Sequence, residues 1–428
     1  MTAYQSLSKA QLLNIQNQLE EKIDLLRGQQ LALDMTRGKP SKAQLDLSLA
    51  MLNVVGPDNY MAQDNVDCRN YGGLDGLTEA KTFFSQYLGV TDQEIIIGGN
   101  ASLNIMHDAM SIAMLHGTTE GGPWVKDEEI NFLCPVPGYD RHFAICEHLG
   151  IKMIPVAMTE HGPDMGRVEA LVKDDQTIKG IWCVPKYSNP TGICYSDEIV
   201  ERLATMTTAA KDFRIFWDDA YTVHHLGYEI ARVKHILDAC KHAGNEDRAY
   251  MFGSTSKLTF PGSGVAMMAG SESNMAFFRK HLAFQTIGPD KLNQLRHVLF
   301  LKSKEGLLDH MDKHAVLLRA RFDAVQEMLA KQLSGKDIAN WSKPEGGYFI
   351  DLDALPGTAK KIISMAAQLG VKLTPAGATF PYGNDPEDKN IRIAPSFPTV
   401  DEVTKATEVL CVCLEKVSID QFLNSAEN

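Results

Sequence analysis

Six apolar, strand-like runs recur through the middle of the chain: INFLCPV (130–136), IKMIPVAM (151–158), IKGIWCVP (178–185), FRIFWD (213–218), AYMFG (249–253) and VAMMAG (265–270). They are apolar throughout rather than alternating. A strand exposed on one face would show polar residues at every second position, so these runs predict strands buried on both faces. Most of the segments between them carry helical spacing. The expected fold class is therefore α/β: a large domain with a mostly parallel central sheet covered by helices. In such sheets ligands sit beyond the carboxyl ends of the strands. The polar residues at those ends are Asn100 and Ser102, Tyr139, Asn189, Asp218 and Tyr221, and Ser254 and Lys257.

After a long helical stretch from about Lys291 to Leu333, the pattern changes to shorter strands and a helix: EGGYFIDLD (345–353), KIISMAAQLG (361–370), VKLTPAG (371–377) and KNIRIAPSF (389–397). A closing helix is expected over 399–423. This reads as a second, smaller α/β domain. At the other end, Leu12, Ile15, Leu19, Ile23 and Leu26 follow helical spacing, which predicts an amphipathic helix that packs on something. The expected organisation is an N-terminal helix and loop (1–50) packing with the small domain, a large domain (51–300) and the small C-terminal domain (301–428).

Charge and cysteine usage exclude several function classes. The 428 residues carry a net charge of −12 with no Lys/Arg block, a poor basis for binding nucleic acid or an anionic membrane. No apolar run approaches the ~18 residues of a membrane span, and the N-terminus does not read as a signal peptide. The eight cysteines include no CxxC pair and mostly lie in apolar runs. They read as buried small hydrophobes in a reducing compartment, so a cytoplasmic protein without a metal site is expected.

Two segments carry chemistry by themselves. In GSTSKL (253–258), Lys257 sits on a turn between two apolar runs, where burial would lower its pKa and make the amine nucleophilic. In IIIGGNAS (95–102), a β-branched run, two glycines and polar residues precede an apolar helix. The free N–H groups at such a helix start make an anion site, although an ordinary N-cap would look the same.

Taken in order, NYGGLDG, GGNAS, PVPGY, SNPTG, DDAY, STSK, GGYF and IRIAPSF resemble the class I/II aminotransferases. These form the aspartate aminotransferase superfamily of pyridoxal-phosphate (PLP) enzymes, fold type I. The resemblance spans Asp34 to Ser396, and TRGKP with FPGSGVA is similar to a divergent bacterial aspartate aminotransferase subgroup. It implies roles residue by residue. Lys257 would be the Schiff-base lysine and then the proton carrier. Asp218 would pair with the pyridine nitrogen. Tyr221 and Asn189 would bond the ring's phenolic oxygen, and Tyr139 would stack on the ring. Asn100, Ala101, Ser102, Ser254 and Ser256 would surround the phosphate, joined by Tyr71 from the second subunit of a homodimer. Arg392 would clamp the substrate α-carboxylate, with Gly38 on the loop that closes over it.

The implied activity is transfer of an amino group from an amino acid to a 2-oxo acid, with aspartate and 2-oxoglutarate expected, by a ping-pong route through a pyridoxamine form. A PLP-dependent β/γ-lyase and an aminotransferase of other specificity use the same residues. A non-catalytic PLP-binding regulator would carry a basic helix-turn-helix segment, which the chain before Asp34 does not resemble. The chain departs from the family in two places. The family arginine that follows the lysine and meets the phosphate is missing from LTFPGSGVAM, leaving Ser263, backbone amides or a basic residue from elsewhere. The arginine for a distal carboxylate is missing from LAFQTIGPDK, leaving Arg37 and Lys39, with Arg141 as a further candidate.

Overall fold

The computed structural model describes residues 3–425 except Tyr228. Seven of the eight strands in the large sheet are the runs named above and Ile95–Ile97, with Gly162–Pro163 added at one edge. In spatial order they are Ile95–Ile97, Ala266–Ala269, Ala249–Ser254, Arg214–Asp218, Ile178–Cys183, Asn131–Val136, Lys152–Thr159 and Gly162–Pro163. The pairs from Ala249–Ser254 through to Lys152–Thr159 are parallel. Ala266–Ala269 is antiparallel to both of its neighbours, so Ile95–Ile97 runs in the parallel direction again. The carboxyl ends of six strands therefore open on one edge.

Alternate residues of these strands enter two different cores. Ile95, Ile97, Leu133, Ile181, Ile215, Trp217, Met251 and Met267 face one side. Ile96, Phe132, Trp182, Phe216, Tyr250, Phe252 and Met268 face the other. Burial on both faces is what the unbroken apolar runs require, at roughly 1.5–3 kcal/mol for each large side chain removed from water. Lys152–Thr159 is the exception. Only Met153 and Val156 are buried, one on each face, because the strand lies next to the sheet's edge.

A third core gathers the two ends of the chain. Leu12, Leu19, Ile23 and Leu26 of the helix Lys9–Gly28 pack with Leu410, Leu414 and Val417 of the helix Val400–Ser425. Gln16–Asp420 and Lys416–Glu20 contacts join the same two helices. Three antiparallel strands lie on this core, in the order Ala339–Trp341, Ile350–Ala354, Asn390–Ile393. Leu33–Met35 pairs with Val371–Leu373, which ties the segment before Gly38 to the same body. The helix Lys304–Leu333 reaches both bodies: Leu307 and Met311 lie in one core of the large sheet, Leu318 to Leu333 in this third one. Among the described residues, no helix is long and apolar enough to cross a membrane.

Candidate active site

The polar residues expected at the strand ends converge. Asp218 closes its strand fully buried, and its Oδ2 accepts from His142 Nε2 at 2.9 Å. His142 is itself held flat against Trp182, 4.2 Å between ring centres with 7° between planes, and the Tyr139 ring lies nearly perpendicular to it at 4.9 Å. Asp218 Oδ1 is buried with no hydrogen-bond partner. An unpaired buried acceptor costs about 1–3 kcal/mol, so this atom fits a ligand that brings a donor. A protonated ring nitrogen is such a donor.

Lys257 lies on the turn after Ala249–Ser254. Its amine is 4.9 Å from the centre of the Tyr221 ring and 5.9 Å from that of Tyr348. The residue as a whole is partly exposed, while protein atoms crowd its amine. Burial pushes it below the ordinary lysine value, and the negative charge of Asp218 works against that shift. A larger neutral fraction makes a better nucleophile and base. Burial also holds the hydroxyls of Tyr221 and Tyr139 above the usual phenol range. For Tyr139 the charges of Asp218 and Asp140 add to the rise, while Arg392 and Arg141 oppose it.

The anion side of the site is built from backbone. No side chain caps the helix Ser102–His116; Ala101, the residue before it, is extended. Asn100 does not cap either, because its side chain bonds across to the loop after the lysine: Nδ2 donates to Pro261 O at 3.2 Å, and Oδ1 accepts from the Gly264 N–H. Ser254 Oγ donates to Ser256 Oγ at 3.3 Å beside this helix start.

Arg392 is buried, as expected from its strand. It is not without a partner: Nη1 donates to Asp140 Oδ1 at 2.8 Å and to Asn189 Oδ1 at 3.3 Å, and Nε reaches Thr374 Oγ1 at 3.4 Å. The guanidinium stands 4.9 Å from the ring of Phe349. Gly38 lies against the tip of that ring, where a Cβ would come within 2.7 Å of Phe349 Cζ. Thus the TRGKP loop reaches the site through Phe349. Lys39 is exposed, with its amine over Phe397 at 5.5 Å, and Arg37 is exposed. Tyr71 is 85% exposed and outside its own chain's cluster. His142, Asp140, Phe349 and Tyr348 were not among the expected site residues. The motif GGYF covers the last two, but no local pattern marks His142.

The sequence model of the family described as aspartate amino-transferase matches residues 7–425. A proposed aminotransferase of Mycolicibacterium smegmatis is 47% identical, over 96% of this chain and 97% of its own. The aspartate aminotransferase of Corynebacterium glutamicum is 42% identical, over 95% of this chain and 94% of its own. A crystal structure of an aspartate transaminase from the latter organism superposes with a TM-score of 0.96 at 41% identity, covering 98% of this chain and 99% of that one. An α-aminoadipate aminotransferase from Thermus thermophilus, solved with a phosphopyridoxyl-leucine, shares the fold at a TM-score of 0.75 and 19% identity, covering 90% and 93% of the two chains. A lysine and a buried aspartate at the carboxyl ends of neighbouring strands, in a sequence matched along nearly its whole length, make this chain an aminotransferase of the aspartate aminotransferase family, fold type I.

Proposed function

We propose that this aminotransferase uses pyridoxal phosphate to move the amino group of aspartate or glutamate to a 2-oxo acid, in a ping-pong sequence. The observation that carries the reading is a buried aspartate with one unpartnered oxygen, at the same sheet edge as a lysine amine lying over Tyr221 and a buried arginine. When bound, the cofactor supplies an aldehyde to carry the amino group and a ring to accept the electron pair left at the substrate Cα. Asp218 Oδ1 would take the N–H of its ring, with His142 fixing the carboxylate's orientation. Tyr139 would cover one ring face, and Tyr221 with Asn189 would bond the phenolic oxygen. Asn100, Ala101, Ser102, Ser254 and Ser256 would hold the phosphate, with Tyr71 of a second copy. Lys257 would hold the cofactor between turnovers and carry the proton from the substrate Cα.

Arg392 would bind the α-carboxylate through two parallel N–H donors. The substrate then replaces Asp140 at Nη1. The identity of the C. glutamicum relative supports aspartate. For its distal carboxylate, Lys39 is turned toward Phe397, and Arg37 and Arg141 are the remaining cations. Cytoplasmic location is part of the same proposal.

The test is an absorbance spectrum of the purified protein, followed by amino-acid addition and a coupled assay. A cofactor band that shifts with aspartate, and paired formation of glutamate and oxaloacetate from aspartate and 2-oxoglutarate, is expected. Lys257→Ala should abolish turnover and leave the cofactor bound non-covalently. Release of ammonia, pyruvate and homocysteine from cystathionine, with no amino group passed to 2-oxoglutarate, would overturn transamination, and a band indifferent to aspartate would overturn the substrate.

A further inference from the structure

The loop from Leu258 to Gly264 lacks the arginine that meets the cofactor phosphate in the resembling family. Another element brings one against that loop. The helix Lys291–Leu301 lies against the loop through Asn293, whose Nδ2 donates to Ser263 O at 3.2 Å and Gly264 O at 2.7 Å. One turn along, Arg296 Nη2 donates to Ser263 Oγ and to Asn293 Oδ1. The loop it grips is the one bonded to Asn100 at the start of the uncapped helix. A Cβ at Gly264 would lie 2.7 Å from Asn100 O and 3.4 Å from Ser256 Oγ, so the loop, the helix start and the serine pair form one cradle.

Arg296 is half-buried, and both oxygens it bonds are neutral. Its Nε is buried with no partner, and no carboxylate pairs with it among the described residues. A guanidinium withdrawn from water and given only neutral partners lacks an anion. We propose that Arg296 supplies the positive charge for the cofactor's phosphate, taking over from the missing loop arginine. This rests on the pyridoxal-phosphate reading of the site.

The experiment compares binding of pyridoxal phosphate and of pyridoxal, which lacks the phosphate, to stripped apoprotein by absorbance titration. Wild type, Arg296→Gln and Arg296→Lys are used. Gln keeps a donor for Ser263 but loses the charge; Lys keeps the charge. Arg296→Gln should weaken pyridoxal phosphate about 10- to 100-fold, as expected when a buried charge pair loses one member. Pyridoxal affinity should hold, and Arg296→Lys should recover part of the loss. Three results would overturn the assignment: unchanged pyridoxal-phosphate affinity in Arg296→Gln, equal weakening of both ligands, or a Lys variant no better than Gln. If Arg296→Gln does not fold, Arg296→Met takes its place as the charge-removing variant and must show the same selective loss of pyridoxal-phosphate affinity. Wild-type protein that binds neither ligand would instead sink the cofactor reading itself.

Discussion

Under the proposed role of Arg392, Gly38, a residue without a side chain, controls substrate affinity through Phe349. The nearest obstacle to a Cβ there is the Phe349 ring at 2.7 Å, and that ring is buried beneath the Arg392 guanidinium. Phe349 cannot retreat into the packed core behind it at low cost. A valine at 38 therefore displaces the ring that lies against Arg392 and would misalign the donors proposed for the α-carboxylate. Misplacement on the scale of 1 Å is costly where two parallel bonds must form together. The expected outcome of Gly38→Val is a KM for the amino acid raised roughly tenfold or more, with kcat less affected. Steady-state kinetics over a range of aspartate concentrations check this. A fall in kcat at unchanged KM would place the effect on the chemical step instead of on carboxylate binding.

At the scale of elements, the helix Lys291–Leu301 braces the lysine turn. His297 Nδ1 lies 2.7 Å from Asn293 O, which can only accept, so that nitrogen carries the proton. Its Nε2 then accepts from the hydroxyls of Thr255 and Thr259, at 3.1 and 2.9 Å, on either side of Lys257. Burial pushes the imidazole down to about 4 from the ordinary 6.5. Folding thus favours the neutral ring. Above pH 6.5 neither state is protonated and nothing is lost; below it the unfolded chain takes up a proton that the folded one refuses. Stability falls with pH from 6.5 to about 4 by up to about 1.4 kcal/mol per unit for this group. His297→Gln removes that slope, so its deficit against wild type should shrink by roughly 2 kcal/mol between pH 7 and pH 5, read by urea denaturation. A deficit that stays constant would show that His297 does not titrate as its burial requires. Sequence pattern gave the helix here but not its inward polar face. The same limit applies elsewhere. Uniform apolar runs foretold the two-sided sheet because burial on both faces leaves a local signature. Strand-end placement then brought Asp218, Lys257, Tyr139 and Asn189 together. The pairing of His142 with Asp218, 76 residues apart, leaves no such mark, nor does the meeting of Arg296 with Ser263. These depend on how distant elements dock.

For the whole molecule the open question is whether one chain is a complete enzyme. Tyr71 is 85% exposed, and the neighbouring surface is unusually apolar, with Phe284 at 89% and Ile287 at 64%. The two segments belong together, since the backbone of Gly72 lies 2.6 Å from where a Cβ of Gly288 would stand. Exposed apolar surface next to a site marks a place where another molecule docks. A second copy of the chain would bury it and bring Tyr71 to the neighbour's phosphate cradle. Sharing of this kind makes a distinctive prediction for mixed dimers. Lys257→Ala chains lack the amine but offer an intact Tyr71. Tyr71→Ala chains keep the amine but offer no tyrosine. In a hybrid, one site has both substitutions and the other has neither. Unfolding and refolding the two inactive variants together makes about half of the dimers hybrids, each with one intact site, so activity should return to about a quarter of the wild-type value. If Tyr71 served its own chain, every hybrid site would carry one defect and mixing would restore nothing. Size-exclusion chromatography with light scattering run beside the assay separates that outcome from simple failure to associate, because a monomer would show neither the doubled mass nor the recovery.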